Sequence, residues 1–473
     1  MTARTVGAFG LLAAAAVSVG LCLRADGLLE ADEALHWLYA RHAGEHPLNL
    51  LHPWARPLYT LLLWPLSFAG FGAAKALSAL SAVAAAWGVW KTGEVLGRRY
   101  AATAIPLLFL QPFFVQQIYG VWTEIVFAAF VAWWGWALAA RRPIAAAVLA
   151  ALLPLVRPEG AFFALLTGVA GAAGFLRDIE GRTRRTAVFL IAPAGVVLWW
   201  AVSALLTGDP GWLIQNWPWA LQRSYGEGPA AWLLAVLPSI APGGLCVAAV
   251  IGAFAPGGGR IALVPIASAT VLAVHGVLWA TGTFGSAGYL RYFVTIAPCL
   301  AVLGAGAIET ALARRLPRSG PVVSAAVLLV AFGAAYADGG RRAYFSPPDP
   351  PLDARIFGAL GRSLSAANGS PPVVYAAHPF VYFELAHVPP GRFANLGDLS
   401  ASVLSQAPLG AWLVVEDRFY ERGEGNVPEA ELPALGFHRT PPPDLGFVSG
   451  STDARHDPAL QSMRWSLWRK GKG

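Results

Sequence analysis

Residues 98–142 read RRYAATAIPLLFLQPFFVQQIYGVWTEIVFAAFVAWWGWALAARR, and this stretch decides the fold. Between the pair Arg98–Arg99 and the pair Arg141–Arg142 the one charged side chain is Glu124. The interior divides into two apolar runs, 100–118 and 121–140, separated at Tyr119-Gly120. Each is close to the roughly 20 residues that a helix needs to cross a bilayer. Arginines left in the short segments outside such runs are the mark of cytoplasmic loops.

Ten further runs flank this pair, at 6–23, 57–70, 74–90, 143–156, 160–176, 186–205, 231–254, 261–281, 291–313 and 320–337. The composition agrees with them. The 473 residues are 56% hydrophobic and 13% charged, with mean hydropathy +0.53, against about 25% charged in a typical soluble domain. Residues 1–337 carry 21 Lys and Arg against 13 Asp and Glu, while 338–473 carry 13 against 14. The basic excess therefore belongs to the apolar part, in short connections, where topology accounts for it and nucleic-acid binding is not expected. Cys22, Cys246 and Cys299 each fall within an apolar run, so neither a disulfide framework nor a cysteine zinc site is read. Run 6–23 follows Arg4 with no small-x-small cleavage site after it, and reads as a retained first helix.

The expected fold is an all-α polytopic transmembrane bundle of about 11–12 membrane segments over 1–337, followed by a small α/β soluble domain. A linker at 338–352 contains the start of FSPPDPPLD (345–353), and the domain occupies 353–473. Within it, 353–366 reads as an amphipathic helix and 373–377 and 412–416 as short strands. Several apolar runs fall short of a full crossing, so broken or re-entrant segments are expected, and irregular backbone at that depth is tolerated where it lines protein or a watery cavity.

Positive clusters recur at Lys91/Arg98/Arg99, Arg141/Arg142, Arg177/Arg182/Arg184/Arg185, Arg260 and Arg314/Arg315/Arg318. These are expected on the cytoplasmic side of the cell's inner (plasma) membrane. Segments 24–56, 118–122, 157–160, 206–230, 282–291 and the tail from 338 are then expected on the outer side. One conflict stands: an outward 24–56 and an inward 91–99 are separated by two runs, where parity allows one or three spans. Run 57–70, with Pro57, Pro65 and Gly70, is expected not to be a full span.

The outward segments collect the charge. Residues 28–63 read LLEADEALHWLYARHAGEHPLNLLHPWARPLYTLLL, with His36, His42, His46 and His52 beside Asp32 and Glu33. This is a candidate site for acid–base chemistry at a membrane face. The same side holds Glu124, Arg157, Glu159, Arg223, Glu227, Tyr289, Arg291 and Tyr292, together with Trp212, Trp217 and Trp219 as candidates to stack on a sugar. Structural readings stand beside these. Asp32-Glu33 also suits a solvated helix start, Arg157 with Glu159 an ion pair sealing a helix break, and Arg291 a snorkelling anchor. No HxH or HExxH spacing occurs, so no metal ligands are assigned and a divalent metal is not favoured.

In this order the motifs resemble those of the GT-C glycosyltransferases, most of all the polyprenyl- and dolichyl-phosphate-sugar-dependent mannosyltransferases. That family carries an acidic pair, within His-Pro-Asp-Glu, in its first extracytoplasmic loop. Here the pair is Asp32-Glu33, with Glu30-Ala31 replacing His-Pro. The family's later motifs are matched by Arg56-Pro57-Leu58-Tyr59, by Lys75 where an Arg is usual, by Gly120 to Glu124 and by Arg157-Pro158-Glu159-Gly160. The last match runs from Tyr289-Leu290-Arg291-Tyr292-Phe293 to Pro298, without the usual His-Lys-Glu. The resemblance covers about 1–313. It implies transfer of a sugar, mannose foremost, from a polyprenyl-phosphate-linked donor to a lipid, glycan or protein acceptor at the outer face. It implies Asp32 as general base, with Glu33 orienting the acceptor or raising its neighbour's pKa. Arg157 and Arg291 are then candidates for the phosphate, and Arg56, Tyr59, Glu124, Glu159, Tyr289 and Tyr292 complete the substrate site. No cofactor is implied. A transporter or flippase for a lipid or glycan is the alternative, and it would place its charges at mid-helix rather than at the connections.

Overall fold

The computed structural model describes residues 2–25, 28–177, 182–217, 225–241, 244–312, 322–324, 326, 327, 330, 351–366, 373–385, 399–417, 419–421, 427–441 and 464–471. Arg223, Trp219, nearly all of run 320–337 and most of the linker at 338–352 lie outside them.

The chain is a multi-pass helical bundle. Among the described residues, five stretches are long and apolar enough to cross a membrane: α1 (Ala3–Arg24), α4 (Phe71–Val95), Thr186–Thr207, α8 (Leu263–Thr281) and Leu290–Leu312, whose latter part is α9 (Ala297–Leu312). Two helix pairs meet the same test as broken spans. Ala101–Phe109 and Pro112–Tyr119 meet at 73°, and Trp232–Ile240 and Leu245–Ala253 at 95°. Proline accounts for the first break, because Pro112 has no amide to continue a helix through Leu110 and Gln111. Three shorter apolar helices, α5 (Thr123–Ala139), α6 (Pro143–Val156) and α7 (Gly160–Arg177), pack against one another in hairpin sequence. Exposed Leu12, Leu23, Leu205 and Phe254 give the bundle an apolar outer surface, as a bilayer requires.

The connection after α1 forms α2 (Ala31–Arg41), and run 57–70 forms α3 (Pro57–Ser67). The 11 residues of α3 span about 16 Å at 1.5 Å per residue, half of a hydrocarbon core. One full helix, α4, therefore separates segment 24–56 from segment 91–99, and the parity conflict in the sequence disappears.

The C-terminal part begins with α10 (Leu352–Ala366), then β1 (Val374–Ala376) and α11 (Pro379–Leu385). These are followed by β2 (Trp412–Glu416), β3 (Phe437–Thr440) and β4 (Trp465–Lys470). The sheet has order β1-β2-β4-β3, with β1 parallel to β2 and the other pairs antiparallel. Side chains alternate across it. Val414 and Leu467 join the core shared with Phe357, Leu360 and the bundle, while Leu413, Val415 and Trp468 fill a second core on the opposite face. Trp37 of α2 and Phe71 of α4 meet Phe383 of α11 at ring separations of 5.0 and 5.2 Å, and these contacts seat the sheet-bearing part on the bundle.

Candidate active site

Helix α2 carries two acidic residues in its first turn, where the partial positive charge of a helix N-terminus favours them. Its 3.6-residue period then divides them. Asp32, Leu35 and His36 line a cavity of about 490 Å³, whereas Glu33 and Trp37 turn to the other side. Glu33 is fully buried against Gly120, at which any Cβ would collide with Trp122 and Glu33. Burial pushes its carboxyl well above the usual range, opposed by Lys75.

The other walls come from connections far apart in sequence. Glu124 stands in the first turn of α5. Arg157 follows α6 in extended backbone, and Gly160 turns the chain back into α7 so closely that a Cβ there would overlap Leu153 and Pro154. Arg157 and Glu159 are thereby both aimed into the cavity. Arg56 precedes α3 with φ 66°, and Phe284 lies at φ 56°. Two of the three non-glycine residues with positive φ among the described residues thus line this cavity, which is where strained backbone tends to be retained.

Acids and arginines alternate through the site. Arg157 binds Glu124 at 2.7 Å, Glu159 at 2.6 Å and the Thr123 hydroxyl at 2.7 Å. Glu159 also meets His275 Nε2 at 3.2 Å. Arg291 pairs with Asp32 and Glu30, and its Nε lies 3.7 Å from Glu124. Its guanidinium lies 4.8 Å from the centre of the Trp122 ring. Arg56 differs from both. It donates to the Pro53 carbonyl and has no ion-pair partner among the described residues, although it is held in the same cavity. Burial, with Arg157 nearby, lowers Arg56 to about 10, so it remains a cation at neutral pH. Burial, followed by Arg56 and Arg157, holds the His36 ring well below its ordinary value, so it is a neutral imidazole facing the cavity.

Asp32 is raised to about 6, first by burial and then by Glu124, with Arg56 and Arg157 opposing. The like charge that raises it is Glu124. Among the described residues no three of His, Cys, Asp and Glu are grouped to hold a metal ion. The carboxylates are instead spaced by arginines.

Of the residues singled out in the sequence, Asp32, Arg56, Glu124, Arg157, Glu159, Arg291, Tyr292 and Trp217 line one cavity. Glu33, Tyr59 and Tyr289 do not. Tyr59 is buried edge-on to His36 at 5.2 Å, and Tyr289 packs on Arg291 at 4.2 Å. Trp212 belongs to a separate cluster with Leu51 and Trp199. His42 pairs with Glu45, and His52 stacks on Tyr39. The sequence reading missed Trp54, Trp122, Thr123 and His275. His275 had a usable signal, being a histidine within an otherwise apolar span; it stacks on Tyr292 at 4.8 Å.

No family profile and no curated protein matches the chain. Solved structures do. ArnT from Cupriavidus metallidurans bound to undecaprenyl phosphate superposes with TM-score 0.62 at 14% identity, covering 98% of this chain and 97% of that one. Its apo state gives 0.61 with the same identity and coverage. The oligosaccharyltransferase of Archaeoglobus fulgidus gives 0.46 at 14% identity, over 92% and 72%. The fold is that of the ArnT structures, in agreement with the architecture that the order of motifs implied.

Proposed function

We propose that this membrane protein is a glycosyltransferase that moves a hexose, mannose foremost, from a polyprenyl-phosphate-linked donor to a hydroxyl of a lipid, glycan or protein acceptor. The reaction takes place at the extracytoplasmic face and inverts the sugar. One observation carries this reading: a carboxylate, Asp32, and a cation without a carboxylate partner among the described residues, Arg56, face one aromatic-walled cavity. The cavity lies at the end of the bundle where the apolar helices give way to loops. The fold it shares with a protein bound to undecaprenyl phosphate supports the donor class.

Asp32 takes the proton of the acceptor hydroxyl as its oxygen attacks the anomeric carbon. The bond from that carbon to the phosphate oxygen breaks, and the lipid phosphate departs with the electron pair. A guanidinium suits this leaving group because it can bind two phosphate oxygens. Arg157 and Arg291 are already committed to carboxylates, so Arg56 takes the phosphate. Arg291 holds Asp32 in place, and Arg157 holds Glu124 and Glu159. Trp54, Trp122, Trp217 and Tyr292 supply flat faces for the sugar.

Turnover of a short-chain polyprenyl-phosphate sugar by purified protein in nanodiscs tests the reading, using a panel of hexose donors. Donor binding without transfer to any acceptor would favour a transporter. The Arg56→Gln protein should bind the donor about ten- to a hundred-fold more weakly by titration, because a charge-assisted contact is worth about 1.5–3 kcal/mol. The pH profile gives a second check. A base must be ionised to act, so kcat/KM should rise with pH through about 6 and level off above it, following the raised value of Asp32. A profile flat from pH 5 to 8, a span of about one unit below Asp32 and two above, would remove Asp32 from the proton transfer.

A further inference from the structure

We propose that a second cavity, across α2 from Asp32, binds the phosphate headgroup of a membrane lipid. This cavity, about 650 Å³, lies between the outer end of α1, the start of α4 and the helices α10 and α11. Three cations line it, Lys75, Arg355 and Arg362. The rest of the wall is apolar, with Leu28, Phe71 and Phe383 foremost. Lys75 is anchored at this wall: its ammonium donates to the Ala25 carbonyl and lies 5.1 Å from the centre of the Phe71 ring. A site that combines cations with an apolar wall fits an anion on an apolar tail.

Two further features fit that ligand. The first turn of the 25-residue α4 faces the cavity at Phe71 and Gly72, and its N-cap, Gly70, supplies no side-chain hydrogen bond. The amides of that turn are unused within the helix and add a partial positive charge to the three cations. A Cβ on Gly72 would meet nothing within 4 Å, so the space over the turn is open. The cavity also begins where the lipid-facing surface of α1 ends. Leu23, 77% exposed on that surface, is part of its rim. A lipid whose chains lie along α1 brings its headgroup to Lys75, Arg355 and Arg362.

Phosphate on an apolar chain comes from two sources, an anionic phospholipid of the bilayer or a polyprenyl phosphate. Free phosphate would leave the apolar wall uncovered. Cys22, half-buried in the cavity lining, reports occupancy locally. The full chain carrying Cys246→Ala and Cys299→Ala is delipidated in detergent, and the rate of Cys22 alkylation is measured. Phosphatidylglycerol should slow alkylation in a saturable way, while phosphatidylcholine and inorganic phosphate should not. The Arg355→Gln/Arg362→Gln protein should need at least about tenfold more lipid for the same protection, as expected for lost charge-assisted contacts. Arg362 is exposed, so Arg362→Gln alone serves if the double variant fails to fold. Protection by a short-chain polyprenyl phosphate at lower concentration than phosphatidylglycerol would identify the carrier lipid as the source. Equal protection by phosphatidylcholine, or protection unchanged in the variants, would overturn the assignment. Glycosyl transfer is not the readout, so failure here leaves the reading of the first cavity untouched.

Discussion

Asp32→Asn is expected to lower turnover by about 10²–10⁴-fold, the usual range for loss of a general base, with little change in donor affinity. The substitution keeps the size and the hydrogen-bonding outline of the side chain and removes its ability to accept a proton. The donor phosphate is proposed for Arg56, which donates to the Pro53 carbonyl, whereas Asp32 is ion-paired to Arg291, so removing the carboxylate leaves the phosphate contact in place. The residual activity of Asp32→Asn should also lose the pH dependence centred near 6, because the group that produced it is gone. Glu30 shares Arg291 with Asp32 and is a neighbouring carboxylate able to substitute as base. Glu30→Gln therefore belongs beside it and should leave turnover near wild type. Wild-type turnover in Asp32→Asn with loss in Glu30→Gln would move the base by two residues. Equal loss of donor binding in Asp32→Asn and Arg56→Gln would make α2 part of the phosphate site.

The architecture was legible because a bilayer imposes a simple code. Runs such as 121–140 and 261–281 must satisfy every backbone group internally, so helices α5 and α8 follow almost from composition. The short α/β part followed from ordinary periodicity, and strand Trp412–Glu416 coincides with its expectation. Membership of the site was legible only in part. Charged residues at membrane edges are costly enough to stand out, which is how Glu124, Arg157 and Arg291 were found. Their pairing was not readable, since it depends on how connections as far as 259 residues apart converge. Arg157 and Arg291, the candidates for phosphate in the sequence, are each held by carboxylates, and for that reason Arg56 is the residue proposed for the role. Glu33 could not be separated from Asp32 in sequence, yet one residue on a helix turns a side chain by about 100°, enough to bury Glu33 away from the cavity.

Arg157→Met is expected to cost about 3–5 kcal/mol of stability, the range for breaking a buried ion pair by removing one partner. The side chain of Arg157 is 6% exposed, and those of Glu124 and Glu159 are 4% and 9% exposed. Removing the cation leaves two carboxylates buried near one another. Although burial opposes its ionisation, Arg157 and then His275 hold Glu159 well below the usual carboxylate range, and that arrangement ends with the substitution. Thermal denaturation in detergent, followed by size-exclusion, should show the loss. The argument also predicts its own repair. If uncompensated charge is the cause, Glu124→Gln and Glu159→Gln added to Arg157→Met should restore much of the stability, since a neutral buried cluster avoids the desolvation penalty. The triple variant should remain inactive, because Thr123 and His275 lose their charged partners at the cavity wall. A triple variant as unstable as Arg157→Met alone would show that the guanidinium acts through packing against Tyr292, whose ring centre lies 5.7 Å away, rather than through charge.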